Sequence, residues 1–120
     1  MKQIDTIILV KDITAIKNFY ISHLQLEILH DWESMVIFKN RLAFHQHDLL
    51  RPQEIISKYV YQSSNSNVII YIATDDLDEI FNRLKMTDIS FIHDIIELPW
   101  QKIFRIKDIE GNIIEIGEEI

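Results

Sequence analysis

The first half of the chain alternates apolar and polar stretches in an order that predicts a strand, a helix and three further strands. Residues 4–10 are apolar and mostly β-branched, which favours a strand. Asp12 then stands where a helix N-cap is expected, and apolar residues follow it at helical spacing as far as Leu24. Residues 26–32, 35–38 and 42–47 are three further strand candidates. Residues 1–50 are therefore predicted to form a β-α-β-β-β module.

The second half repeats this order. Residues 68–73 predict a strand, and Asp76 to Glu79 match a D-x-x-E capping box that opens a helix. Residues 90–97, 102–107 and 112–118 predict three strands, which are separated by Pro99 and by a turn at 108–111. A module of about 50 residues buries too little surface to be stable alone, so the two halves are predicted to pack together.

The segment between the halves lacks this pattern. Residues 51–66 hold Pro52, an amphipathic stretch at 53–59 that predicts a short helix, and most of a polar run that begins at Gln62. A polar run without apolar periodicity is typical of a loop. The prediction is one domain over residues 1–120, built from module 1–50, connector 51–66 and module 67–120.

Composition narrows the classes of function. The chain is 48% hydrophobic and 26% charged, as ordinary globular domains are. It has no cysteine, which excludes disulfides, thiol nucleophiles and cysteine-bound metal centres. Its net charge of −7, with basic residues scattered singly, argues against nucleic acid as a partner. No apolar run approaches the roughly 20 residues that span a membrane, and no signal-peptide pattern opens the chain, so we expect a cytoplasmic protein without a membrane partner.

Three segments give the chain a resemblance to the vicinal oxygen chelate superfamily, which includes glyoxalases, bleomycin resistance proteins and extradiol dioxygenases. They are Val10–Asp12 with Phe19-Tyr20 and Leu24–Glu27, then Thr74–Leu77, and finally Asp108–Ile116. Pro99-Trp100 is similar to a motif of some small members. Three residues depart from the family pattern, namely Gln25, Ile109 and Gln101, and the last falls in a loop that would border the ligand cavity.

This resemblance implies an α+β fold in which two βαβββ modules form a U-shaped, barrel-like mixed sheet around a cleft. Members of this size usually dimerise, so it also implies a homodimer. In metal-dependent members, four positions on the first and last strands of the modules surround one divalent cation.

Those four metal positions can be located in this sequence. The position on the last strand of the second module is Glu115, which would also be the catalytic carboxylate of an enzyme. Counting back from the helix caps places the first-strand positions at Asp5 and at Ile69, and isoleucine cannot bind a metal. On the last strand of the first module the position is Phe44 or His45, because a slip of one residue exchanges the faces of a strand. The alternative for Glu115 is an ordinary surface carboxylate.

His45 and His47 form an H-x-H pair, and a strand would place both imidazoles on one face. Such a pair can bind zinc, nickel or iron, and the alternative is two partly exposed histidines beside a loop. The candidate ligands are therefore Glu115, His45, His47 and Asp5, for one divalent cation among Zn, Ni, Mn and Fe. They do not complete the standard set, and no cofactor is certain.

Aromatic residues supply candidate walls for a ligand pocket, because flat rings stack on planar ligands. The candidates are Trp32, Phe44, Tyr71, Trp100 and Phe104, and core packing is the alternative for most of them. Trp100, beside a proline in a loop, is favoured as a rim residue. Arg105 alternates with apolar neighbours and is predicted to meet an anionic ligand or to pair with an acid such as Glu97 or Glu115.

Two functions remain open. The first is a metal-free binding protein that captures a small, partly aromatic or cationic organic molecule in the cleft, since an acidic surface favours cations. The second is a lyase or isomerase of glyoxalase type, in which a metal polarises a carbonyl and Glu115 moves a proton. The histidine pair and carboxylate of an extradiol dioxygenase are absent, which makes that activity the weaker alternative.

Overall fold

A computed structural model describes residues 1–47 and 68–119 of the chain. The β-α-β-β-β order predicted for each half is confirmed in these ranges. The described elements are β1 (Ile7–Val10), α1 (Ile13–Ser22), β2 (Ile28–Asp31), β3 (Met35–Phe38), β4 (Ala43–Gln46), β5 (Ile69–Thr74), α2 (Leu77–Lys85), β6 (Ser90–Glu97), β7 (Lys102–Lys107) and β8 (Ile113–Glu118). The features predicted at Pro52, at 53–59 and from Gln62 to residue 67 lie outside the described residues.

The chain divides into two compact units, Met1–Ser63 and Ser64–Ile120. The first unit has a four-stranded sheet in the order β1-β4-β3-β2, and the second has the same arrangement in the order β5-β8-β7-β6. In both sheets the first and last strands of the unit are parallel neighbours, and the other pairs are antiparallel. The α+β class with mixed sheets is confirmed, and the described strands belong to two separate sheets.

Helix α1 covers one face of the first sheet. The side chain of Asp12 accepts a hydrogen bond from the backbone N–H of Ala15 at 3.1 Å, as predicted for an N-cap. Tyr20 is fully buried, and its ring centroid lies 4.8 Å from that of Phe44 on β4. Phe44 is also fully buried, so its prediction as a ligand contact is wrong, because the ring packs in the core beneath α1.

Helix α2 covers the second sheet in the same way. Its cap is only half of the predicted capping box: Asp76 accepts from the N–H of Glu79, but the N–H of Asp76 donates to the hydroxyl of Thr74. The ring of Phe81 lies 5.3 Å from that of Phe104, which is fully buried. The prediction that Phe104 contacts a ligand is therefore also wrong, since its ring belongs to this core.

A buried aspartate fixes the turn that joins β7 to β8. Asp108 is 5% exposed, and its carboxylate accepts hydrogen bonds from the backbone N–H groups of Glu110 and Asn112 and from the Asn112 side chain. Gly111 has φ +85°, a conformation that glycine adopts without a steric cost. The turn sets the register of β7 against β8, in which Arg105 lies opposite Glu115.

No helix in the ranges 1–47 and 68–119 is long and apolar enough to cross a membrane.

Candidate functional site

The second sheet has one face covered by α2 and one face on which the described ranges, 1–47 and 68–119, place no helix of this unit. Phe104 and Ile106 on β7 and Ile114 and Ile116 on β8 are fully or almost fully buried, and Phe104 contacts α2. Side chains alternate along a strand, so residues between these positions lie on the opposite face. We call this opposite face the helix-free face of the second unit.

One residue from each strand forms a line across that face. Tyr71 on β5 pairs with Glu115 on β8, Glu115 pairs with Arg105 on β7, and Arg105 pairs with His93 on β6. Directly opposite residues in neighbouring strands have Cβ atoms about 5 Å apart, which brings these polar side chains into contact range. We call Tyr71, Glu115, Arg105 and His93 the polar row.

The centre of the polar row is an ion pair. The Nε–H of Arg105 donates to Oε1 of Glu115 at 2.8 Å, and the two side chains are 28% and 16% exposed. Of the two acids predicted as partners of Arg105, Glu115 is the one that pairs with it. Partial burial of a charged hydrogen-bonded pair makes it stronger than an exposed one, because water screens it less.

His93 holds the other side of the guanidinium. Its Nδ1 lies 2.7 Å from the backbone carbonyl oxygen of Asp94, and since a carbonyl oxygen only accepts, Nδ1 carries the proton. Nε2 of the neutral ring is then an acceptor, and it receives a hydrogen bond from Nη1 of Arg105 at 3.0 Å. Spacing along the chain could not reveal this role, because His93 and Arg105 meet only through the pairing of β6 with β7.

Gln101 fixes the Tyr71 end of the row. Its Nε2 donates to the hydroxyl oxygen of Tyr71 at 2.9 Å and to the backbone carbonyl oxygen of Glu118 at 2.8 Å. The amide lies against Gly117, where the Cβ of any other residue would collide with it. The departure from the family pattern at Gln101 therefore places a side chain on the helix-free face, as a clamp on Tyr71.

In the first unit, Asp5 lies before β1 rather than on it. Arg41 holds its carboxylate with two hydrogen bonds, from Nε at 2.8 Å and from Nη2 at 2.6 Å. These bonds from Arg41 hold the pKa of Asp5 below its usual value. The prediction of Asp5 as a metal ligand on the first strand is corrected, because Arg41 donates a hydrogen bond to each carboxylate oxygen of Asp5.

The strand pairing also corrects the position that corresponds to Glu115 in the first unit. Ile7 and Tyr71 each stand five residues before an N-cap aspartate, Asp12 and Asp76 respectively. Tyr71 pairs with Glu115, and Ile7 pairs with Ala43. The corresponding residue is therefore Ala43, and neither Phe44 nor His45 occupies this position.

The two candidate histidines of the first unit differ in their placement. His45 is on β4, between Leu9 and Met35 of the neighbouring strands, on the face opposite Phe44. His47 follows the last residue of that strand, and its backbone N–H donates to the carbonyl oxygen of Val10 at 2.7 Å. Both lie in the first unit, whereas Glu115 lies in the second.

The donors present do not fit a divalent cation. Oε1 of Glu115 already accepts a hydrogen bond from the guanidinium of Arg105, whose positive charge repels a metal cation placed at the same carboxylate. The next donor in the polar row, Nε2 of His93, is engaged by the same guanidinium. Within residues 1–47 and 68–119, no group of three or more histidine, aspartate or glutamate side chains could hold a metal ion. The metal set predicted from Glu115, His45, His47 and Asp5 is therefore not assembled in the described residues.

The remaining predicted ligand contacts have exposed rings. Tyr71 is 46% exposed, Trp32 is 56% exposed and Trp100 is 63% exposed. Trp32 follows β2, and its ring stacks on that of His30 with centroids 5.1 Å apart. Trp100 lies between β6 and β7, next to the residue that clamps Tyr71. Their contact with a ligand stays a prediction.

Two successive βαβββ units, each with parallel first and last strands, define the class of fold that the vicinal oxygen chelate superfamily shares. The family model described as "Glyoxalase-like domain" matches residues 3–120, and the chain belongs to this family. None of the curated proteins matches the chain.

Solved structures with the same fold include a protein of unknown function from Agrobacterium tumefaciens strain C58. It is 32% identical, with a TM-score of 0.86, and the match covers 100% of this chain and 95% of that one. A glyoxalase/bleomycin resistance protein/dioxygenase from Nocardioides is 18% identical over 97% of this chain and 82% of its own, with a TM-score of 0.75. A lactoylglutathione lyase from Agrobacterium tumefaciens is 22% identical over 98% and 94%, with a TM-score of 0.71. The last two likenesses show the fold alone.

Proposed function

We propose that this chain binds a small organic molecule on the helix-free face of its second unit and does so without a resident divalent metal. The observation that carries the proposal is the hydrogen bond from Arg105 to Glu115. The family places a metal ligand at the position of Glu115. In this chain the Glu115 carboxylate accepts a hydrogen bond from the Arg105 guanidinium.

Arg105 can replace part of what a metal does in binding. A guanidinium is planar, remains charged and presents several N–H donors, so it can hold a ligand oxygen in a defined place. Glu115 and His93 each accept one of its hydrogen bonds and thereby restrict its orientation. A cation that is preorganised in this way favours binding, because less conformational freedom is lost when the ligand arrives.

The rest of the face supplies the surface that a small ligand needs. The ring of Tyr71 is held by Gln101 at one end of the polar row. Ile69, Ala73 and Ile113 lie beside the row on the same face, because each is two residues along its strand from Tyr71 or Glu115. A largely apolar surface with few convergent polar groups is the usual composition of a small-molecule site.

Metal uptake tests this proposal against the glyoxalase-type lyase. The chain, purified without a histidine tag, is incubated in turn with Ni, Zn, Mn and Fe, and bound metal is measured by elemental analysis. We expect less than stoichiometric uptake of each metal and the same thermal midpoint with and without it. Stoichiometric uptake that is lost in Glu115→Gln, but kept in the control Glu97→Gln, would overturn the metal-free proposal and favour the lyase.

A further inference from the structure

We infer that the ligand carries a carboxylate or a similar oxyanion, which binds to the free side of the Arg105 guanidinium. The inference rests on the proposed function and names the ligand class for that site. It departs from the expectation that an acidic chain captures cations, because the charge near a site decides more than the charge of the whole protein.

The hydrogen-bond count of Arg105 leaves donors for a ligand. A guanidinium has five N–H groups, and Arg105 uses one on Nε for Glu115 and one on Nη1 for His93. Nη2 has no partner among the described residues, and the side chain is 28% exposed. The guanidinium therefore keeps N–H donors, those of Nη2 among them, and a charged donor binds an oxyanion more strongly than it binds a neutral acceptor.

Among the strand residues that lie on the helix-free face, cationic side chains outnumber anionic ones. Charged residues at facing positions of its described strands are Arg105 and Lys107 on β7 and Glu115 on β8. Lys107 is two residues from Arg105 on the same strand and therefore about 7 Å away on the same face. With the ring of His93 neutral, these groups sum to +1, on a chain whose net charge is −7. A ligand carboxylate that binds beside Glu115 would therefore have two cationic side chains near it, Arg105 and Lys107.

The ligand class is tested with three probes that share one ring system and differ in charge. They are 1-naphthoate, 1-naphthamide and 1-naphthylmethylammonium, and their dissociation constants are measured by titration calorimetry. We expect naphthoate to bind at least about tenfold more tightly than the other two, which is the usual worth of one charged hydrogen bond. We expect Arg105→Gln to remove this preference and Lys102→Gln to keep it, because Lys102 carries the same charge on the same strand at a position of opposite facing.

Loss of binding in Arg105→Gln is interpreted together with a second variant, since it leaves Glu115 without its partner. Arg105→Gln/Glu115→Gln has no unpaired charge, and we expect it to keep the fold and to bind naphthoate no better than naphthamide. Tighter binding of the ammonium probe, or a naphthoate preference that survives in the double variant, would overturn the oxyanion inference and leave the proposed function standing. Failure of all three probes to bind up to their solubility would overturn the proposed function itself.

Discussion

Four corresponding strand positions carry polar side chains in the second unit and mostly apolar side chains in the first. In the second unit the row is Tyr71, Glu115, Arg105 and His93. The corresponding positions of the first unit, given by the same pairing register, are Ile7, Ala43, Ile37 and His30, which we call the counterpart row. Three of its four members are apolar, and Ala43 is fully buried.

This difference shows what the fold requires and what it leaves free. Because the counterpart row has no ion pair, the βαβββ architecture does not need one at these positions. A partly buried ion pair is weak support for stability, since desolvation offsets much of its attraction. The polar row is therefore better explained by binding than by folding.

The largest expected effect on stability comes from introducing a glutamate into the first unit at Ala43, the position that corresponds to Glu115. Ala43→Glu buries an unpaired carboxylate between Ile7 and Ile37, and we expect it to lower the free energy of unfolding by about 4 kcal/mol. Urea denaturation followed by circular dichroism measures this change. Asn40→Glu, at the exposed β3–β4 turn, is the matched control, and adding Ile37→Arg to Ala43→Glu should recover part of the loss. An unchanged urea midpoint in Ala43→Glu would show that the two rows are interchangeable.

A smaller effect is expected from breaking the ion pair of the polar row. Arg105→Gln leaves a carboxylate that is 16% exposed without its charged partner, and we expect a loss of about 2 kcal/mol. The double variant Arg105→Gln/Glu115→Gln should return most of this stability, because it removes both charges. A double-mutant cycle from denaturation midpoints and slopes gives the coupling between the two residues. Additive losses would mean that the pair makes no interaction in solution.

The turns that precede β4 and β8 offer a third comparison. Gly111 has φ +85°, and Arg41 stands at the corresponding place of the first unit with φ 74°. We expect Gly111→Ala to cost about 1 kcal/mol, because the added Cβ has open space around it and only the backbone conformation is penalised. The unfolding free energy measures this cost, with Ala73→Gly as a test of the opposite substitution at an extended position. A Gly111→Ala variant as stable as the parent would contradict the left-handed turn.

The smallest effect concerns the Asp5–Arg41 pair of the first unit. Because Arg41 lowers the pKa of Asp5 in the folded chain, the pair stabilises the fold above the unfolded pKa of about 3.9. That contribution declines as the pH falls through the lowered folded pKa. Asp5→Asn should therefore lower the thermal midpoint slightly at pH 7 and converge with the parent in strong acid. Asp75→Asn is the control, and an Asp5→Asn deficit that is equal at all pH values would contradict the ion pair.

The sequence predicted the elements well because their signals are local. Asp12 and Asp76 cap their helices through backbone N–H groups three residues away, and strand alternation is visible without any partner. Register is not local: whether Ala43, Phe44 or His45 corresponds to Glu115 depends on the pairing of β1 with β4. The partner of Asp5 is Arg41, 36 residues away, so no spacing rule could point to it.

Two of the five aromatic candidates, Phe44 and Phe104, were misplaced for a related reason. Phe44 and Phe104 stand beside His45 and Arg105, and a strand places neighbours on opposite faces. Sequence alone did not say which of each pair faces its helix. Burial decides it, since both rings are fully enclosed and their polar neighbours lie on the other face.

The most direct test of the central claim is to locate bound 1-naphthoate on the isotope-labelled chain by nuclear magnetic resonance. We expect titration to shift the Nε–H signal of Arg105 and the backbone amides of Tyr71 and Glu115, with small changes at Ile7 and Ala43. The same shifts should appear in buffer containing a metal chelator. Shifts centred on the counterpart row, or binding that disappears with the chelator and returns with a divalent metal, would contradict a metal-free site on the polar row.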